Sequence, residues 1–235
     1  MKKQFYSLIV LSIFIFSSCS KSELEKKTTD TSIAQLLEKN IIVAQNHSNT
    51  LKQIEREFVL SRSVSEVDQK QKIYDLFKNY VVENNISQIF LEEDNSRKII
   101  EGTNNSVEKI SEYFDEDCFK EFLAVISNNS TKEELKNDLL QILEKNKNSK
   151  YINDYLLIAG VAIDSYSYWT TNAKTRSFLS GLTRIIKADV ISAAAAIEAA
   201  GAAALITGAT PPGAAAIAGT AAFGSAVEGV TMAFE

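Results

Sequence analysis

Glycine and proline are almost missing from the front of this chain. The first glycine is Gly102, and no proline precedes Pro211. Tight turns between strands rely on these two residues for their backbone angles. A sheet protein could not run so far without them. The same stretch is rich in Leu, Glu, Lys and Gln, which suit helices. The expectation is an all-α protein: a helical bundle with a C-terminal Ala/Gly-rich helical hairpin.

Apolar spacing marks the helices. Leu37, Ala44, His47, Leu51, Ile54 and Phe58 follow a three-four rhythm that makes one stripe of a long helix over 31–60. Val67, Ile73, Leu76, Phe77, Tyr80 and Val81 predict a second buried face, and Ile86, Ile89 and Phe90 a short segment. Val107, Ile110, Phe114, Phe119, Phe122, Leu123 and Ile126 read as one further helix. Ser130 or Thr131 then caps the next, with Glu134 placed for a capping box. Its buried face is Leu135, Leu139, Ile142 and Leu143. Asparagine tolerates left-handed backbone, so Asn84-Asn85, Asn104-Asn105 and Asn128-Asn129 serve as joints. Residues 151–163 are strongly apolar and predict a central buried helix. It ends in Tyr166, Ser167, Tyr168 and Trp169, followed by polar Thr170-Thr171-Asn172. The ring cluster Tyr166, Tyr168 and Trp169 is the candidate interaction surface. Wedging between helices is the ordinary alternative for such rings.

The N-terminus carries an address. Lys2 and Lys3 precede the apolar run Leu8-Ile9-Val10-Leu11-Ser12-Ile13-Phe14-Ile15-Phe16, and small Ser17 and Ser18 lead to Cys19. That layout is a secretory signal, too short to span a bilayer permanently. Phe16-Ser17-Ser18-Cys19 resembles the lipobox of bacterial lipoproteins, with Phe16 for the usual Leu and Ser18 for Gly or Ala. The resemblance implies a diacylglycerol thioether on Cys19, cleavage before it, and acylation of the new amino terminus. Several acyl chains make a stable anchor. Ser20, rather than Asp, follows the cysteine, which by analogy points to the outer membrane. The organisation expected is a signal peptide at 1–18, a polar tether at 19–30, a helical domain at 31–187 and the hairpin at 188–235.

Loss of 1–18 leaves 23 of the 25 basic side chains against 30 acidic ones, a formal charge of −7. An acidic body argues against nucleic acid as a partner. With Cys19 lipidated, Cys118 has no intramolecular partner, so no disulfide framework is expected. The expected role of Cys118 is a small buried hydrophobe.

The tail is the second unusual segment. No basic residue follows Lys187, and alanine and glycine dominate. Pro211-Pro212 must turn the chain between two arms of about 20 residues. Ala196, Ala200, Ala204 and Gly208 form one row. Ala195, Ala199 and Ala203 form its neighbour, and Ala214, Ala218, Ala222 and Ala226 a third. Small-residue rows let helix backbones approach closely. The hairpin resembles the glycine-zipper hairpins of some outer-membrane lipoproteins and certain pore-forming or bacteriocin-type segments. Its glycines, spaced by five or six, depart from a zipper's four. Glu198 and Glu228 sit within the arms, where an acidic charge at a bilayer centre costs about 2.5–3.5 kcal/mol. The expectation is a hairpin packed on the body, with membrane insertion as the rival.

Motif chemistry is sparse. His47 is the sole histidine, so a His-based triad or metal site would need it, and no nucleophile elbow, HExxH or phosphate loop is present. Glu92-Glu93-Asp94 and Asp115-Glu116-Asp117 read as solvated helix faces. No catalytic residue, metal or cofactor is expected. The expected function is a non-enzymatic, lipid-anchored envelope protein. Its partners would be the membrane, an envelope protein, and further copies of itself through the alanine-rich hairpin. The alternative is a membrane-active or pore-forming protein whose hairpin inserts into a bilayer.

Overall fold

The computed structural model describes residues 31–61, 63–102, 110, 113–128, 131–172, 181–207 and 213–235, without the side chains of 202–207. The signal segment, Cys19, the tether and the Pro211-Pro212 turn lie outside them. So do Val107, Asn104-Asn105, Asn129-Ser130 and Gly208, and the side chains of Ala203 and Ala204. The described residues form eight α-helices and no strand: α1 (Ile33–Glu57), α2 (Glu66–Glu83), α3 (Glu93–Glu101), α4 (Glu116–Asn128), α5 (Lys132–Lys145), α6 (Ile152–Asn172), α7 (Leu182–Thr207) and α8 (Ala214–Phe234). A short 3-10 turn, Gln88–Leu91, joins α2 to α3. The all-α bundle with its hairpin is what the chain forms.

Helix ends follow local chemistry. Ser65 caps α2, its hydroxyl accepting from the Asp68 N–H at 3.1 Å. Asn84 closes that helix and Asn85 takes φ 52°, the left-handed backbone expected of an asparagine joint. Gly102 ends α3 at φ 50°. Thr131 and Glu134 make a full capping box: Glu134 N–H donates to Thr131 Oγ1 at 3.2 Å, and Thr131 N–H to Glu134 Oε2 at 3.1 Å.

Three expectations change. The run 107–126 is not one helix, because the chain turns at Tyr113–Phe114 and Asp115 Oδ1 accepts the Cys118 N–H at 3.0 Å to start α4. Asp115-Glu116-Asp117 and Glu92-Glu93-Asp94 are exposed as expected, and they also stand at helix beginnings, where carboxylates oppose the positive end of the helix dipole. Val67, assigned to a buried face, is 75% exposed. The aromatic cluster does not end α6, which runs on to Asn172.

The hairpin belongs to the same compact unit as the body, Ile33–Glu235. α7 and α8 pack on each other, α1 lies along α6 and α8, and α7 also meets α6 and α3. Most described members of the alanine rows face inward: Ala195, Ala196, Ala199, Ala200, Ala218 and Ala222 are buried, whereas Ala226 is half-buried and Ala214 is exposed. Phe223 of α8 meets Phe77 and Tyr80 of α2 at ring-centroid distances of 5.3 and 5.5 Å. A fully buried ring of this size stabilises by roughly 1.5–3 kcal/mol. The second aromatic nest lies at the other end of the bundle, where Phe114 stands 5.6 Å from Tyr155 and Phe122 5.3 Å from Tyr155.

Glycine marks the tightest crossings, each with a different neighbour. A Cβ on Gly160 of α6 would lie 2.8 Å from the Asn40 carbonyl oxygen of α1, and one on Gly224 of α8 2.8 Å from the Ala188 carbonyl oxygen of α7. Backbone cannot swing aside as a side-chain tip can. Gly160→Ala is expected to lose about 1–3 kcal/mol through overpacking. Gly229, with nothing within 4 Å of the same position, is the control. Gly229→Ala should be neutral or gain up to about 1 kcal/mol from helix propensity. Urea midpoints compare the two, and equal stability would refute the close-contact account.

Candidate functional site

His47 is fully buried and lies between two carboxylates. Its Nδ1 is 3.0 Å from Asp164 Oδ2, and its Nε2 is 3.0 Å from Asp189 Oδ2. The first contact is aligned as a hydrogen bond. The second is an ion-pair contact off the hydrogen-bond line. Asp164 Oδ2 also accepts from the Ser48 N–H at 3.1 Å and from the Ser48 hydroxyl. Asp189 Oδ2 accepts from the Ser165 hydroxyl at 2.6 Å, and Oδ1 from the Ser225 N–H at 3.2 Å. One cluster thus ties α1, α6, α7 and α8, fastening both hairpin arms to the body.

Burial alone would strip the proton from the ring. The negative charge of Asp189, the hydrogen bond to Asp164 and their remaining attraction outweigh it and raise the His47 pKa to about 9. At neutral pH the cluster is therefore an imidazolium held between two aspartates. Such an arrangement fastens the four helices that meet there. The ring is shut from solvent, and the Ser48 hydroxyl donates to Asp164, so no hydroxyl is activated by His47. The two ring nitrogens face separate carboxylates and do not converge on one ion. Among the described residues, no group of three or more His, Cys, Asp and Glu side chains has metal-holding geometry.

The hairpin's two arm glutamates are paired. Glu198 Oε1 is 3.0 Å from Lys98 Nζ of α3, and Glu228 Oε1 is 2.7 Å from the Arg184 guanidinium. Arg184 also grips Glu235 with both nitrogens, at 2.5 and 3.0 Å. Arg184 and Glu228 also line a cleft of about 710 Å³ between the starts of α2 and α7, the end of α8 and the close of α3, while Glu235 holds Arg184 without lining it. The Tyr74 hydroxyl donates to Glu101 Oε1 across its wall at 3.0 Å. Burial first, and Glu101 second, push the Tyr74 pKa up to about 12. Lys70 lines the cleft from α2 and pairs with Glu66 at 2.6 Å.

The predicted interaction surface is narrower than expected. Tyr168 is 5% exposed and edge-on to Trp169, with centroids 5.0 Å apart, so its ring packs in the core. Tyr166 and Trp169 are half-buried against that core. Trp169 borders an apolar hollow of about 250 Å³ with Phe58, Leu60 and Val230. Cys118 is buried, and burial pushes its thiol up to about 11, which leaves it protonated and unreactive at neutral pH.

Sequence reading placed His47 on the apolar stripe of α1, assigned it no role and named neither of its partners. The available signal was a lone polar residue inside an apolar helix: Asp164 after the apolar run of α6, and Asp189 as the one charge between Lys187 and Glu198. Compared with protein-family models, with curated proteins and with solved structures, the chain matches none.

Proposed function

We propose that this protein is a lipid-anchored bacterial envelope protein, attached to the outer membrane through Cys19, that acts without catalysis by binding a partner or assembling. The observation that supports this reading best is the docking of the tail. Both hairpin arms are fastened to the body through Asp189 and Ser225, and their glutamates are paired with Lys98 and Arg184. A tail held in this way suits a body that folds in water, leaving membrane attachment to the lipid. A chain begun at Ser20 is expected to be soluble and monomeric, by light scattering and vesicle flotation. Partitioning into vesicles would reject the docked-tail reading. Metabolic labelling with a fatty-acid analogue should mark the wild type and not Cys19→Ala; labelling that survives the substitution would remove the anchor.

A second reading rests on α8. Among the described residues it is the one helix long and apolar enough to cross a membrane. In that reading the hairpin leaves the body and enters a bilayer, and the vesicle experiment separates the two.

A further inference from the structure

We propose that the cleft between α2, α7 and α8 binds a small molecule bearing a carboxylate or phosphate group, and that the Glu235 side chain holds the place of that group in the free protein. The inference stands apart from lipid anchoring.

The cleft's volume of about 710 Å³ falls in the ~300–1,000 Å³ range of small-molecule pockets. Its existence explains Val67. That side chain lines the void instead of the core, giving an apolar wall opposite polar ones.

Three cations converge on it: Lys70 from α2, with Arg184 and Lys187 less than a turn apart on α7. Arg184 carries two carboxylates of different character. Glu228 is 16% exposed and inner, whereas Glu235 is 56% exposed at the end of α8. The Glu235 grip is fork-to-fork, the geometry by which arginine recognises carboxylate and phosphate groups generally. Hydrogen bonding to Arg184 holds the Glu235 carboxyl below the usual range, and Lys70 adds to the effect. The potential at that point therefore favours an anion. An exposed ion pair contributes little in water, so a ligand anion can displace Glu235 readily. Among the described residues, no carboxylate stands within ion-pair distance of Lys187, which is half-buried and lines the cleft. It supplies a charge that no side chain there cancels. Glu228 already neutralises part of the Arg184 charge and Glu101 is engaged by Tyr74, so the place open to an anion is the face of Arg184 that Glu235 grips.

The test titrates the full-length protein with inorganic phosphate and, separately, with succinate, by calorimetry. At least one probe should bind saturably, and Glu235→Gln should tighten it by removing the internal competitor. Arg184→Gln should weaken it about 10- to 100-fold, the loss of a charge-assisted hydrogen bond. Lys187→Gln should weaken it less, and serves if Arg184→Gln disturbs folding. The probe that binds tells carboxylate from phosphate. Absence of saturable binding to Glu235→Gln, or affinity unchanged in both cation variants, would overturn the proposal.

Discussion

His47→Ala is expected to be the most damaging single substitution in this protein, with a loss on the order of 3–5 kcal/mol. The substitution does not merely delete contacts. It leaves Asp164 and Asp189 buried, facing each other, with no cation between them. Desolvated charges without a partner are among the costliest features a fold can carry. For a unit of about 200 residues, each kcal/mol lowers the melting temperature by about 2–4 °C, so the fall should be roughly 6–20 °C. Adding Asp164→Asn and Asp189→Asn to the alanine variant removes the stranded charges and should recover part of the loss. Thermal melts of the three proteins measure this. A His47→Ala chain that melts within a degree or two of wild type would mean the cluster is not the fastening described here.

Alkaline pH should produce a graded form of the same loss. An imidazole in an unfolded chain titrates near 6.5, whereas His47 in the folded protein titrates at about 9. Below about pH 6.5 both states hold the proton, and the stabilisation is full. Between the two values the folded state keeps a proton that the unfolded state has released, so stability falls by about 1.4 kcal/mol per pH unit. Above about pH 9 the contribution is gone. The total is about 3 kcal/mol for this one group. Urea midpoints at pH 6 and pH 9.5 should therefore differ in the wild type. The part due to His47 should be missing from the neutral His47→Ala, Asp164→Asn, Asp189→Asn protein. An equal slope in that protein would assign the dependence to other groups. Amide exchange adds a spatial check: at high pH the α7–α8 interface should lose protection before the α4–α5 helices, because Asp189 and Ser225 are where the cluster holds the hairpin.

Legibility of the fold varied with the range of the interaction. Thr131 and Glu134 are three residues apart, so their capping box could be read from the letters alone. The stripe on α1 could be read too, and it included His47. Asp164 is 117 residues beyond His47. Their meeting depends on how α1 and α6 are rotated about their axes, which apolar spacing does not specify. The break before α4 was obscured for a different reason. Ile110, Phe114 and Phe119 are all buried, so the run keeps an apolar rhythm across a turn, and only the capping role of Asp115 separates its halves. The two acidic runs carried a helix-start signal that was outweighed by the commoner role of carboxylates on exposed faces.

Proline and glycine scarcity, apolar spacing and capping residues determined by themselves that this chain is a helical bundle ending in an alanine-rich hairpin. These are local properties of backbone and neighbouring side chains. The address proposed for Cys19 also rests on a handful of adjacent residues. Tertiary structure alone decided where the hairpin rests. Small residues permit close approach without choosing a partner, and the choice came from Phe223 against Phe77 and Tyr80, Glu198 against Lys98, and one histidine between two aspartates. It also gathered Lys70, Arg184 and Lys187 around a single cleft. Directional contacts between distant segments depend on helix rotation and offset, and those are fixed only when all the faces pack at once.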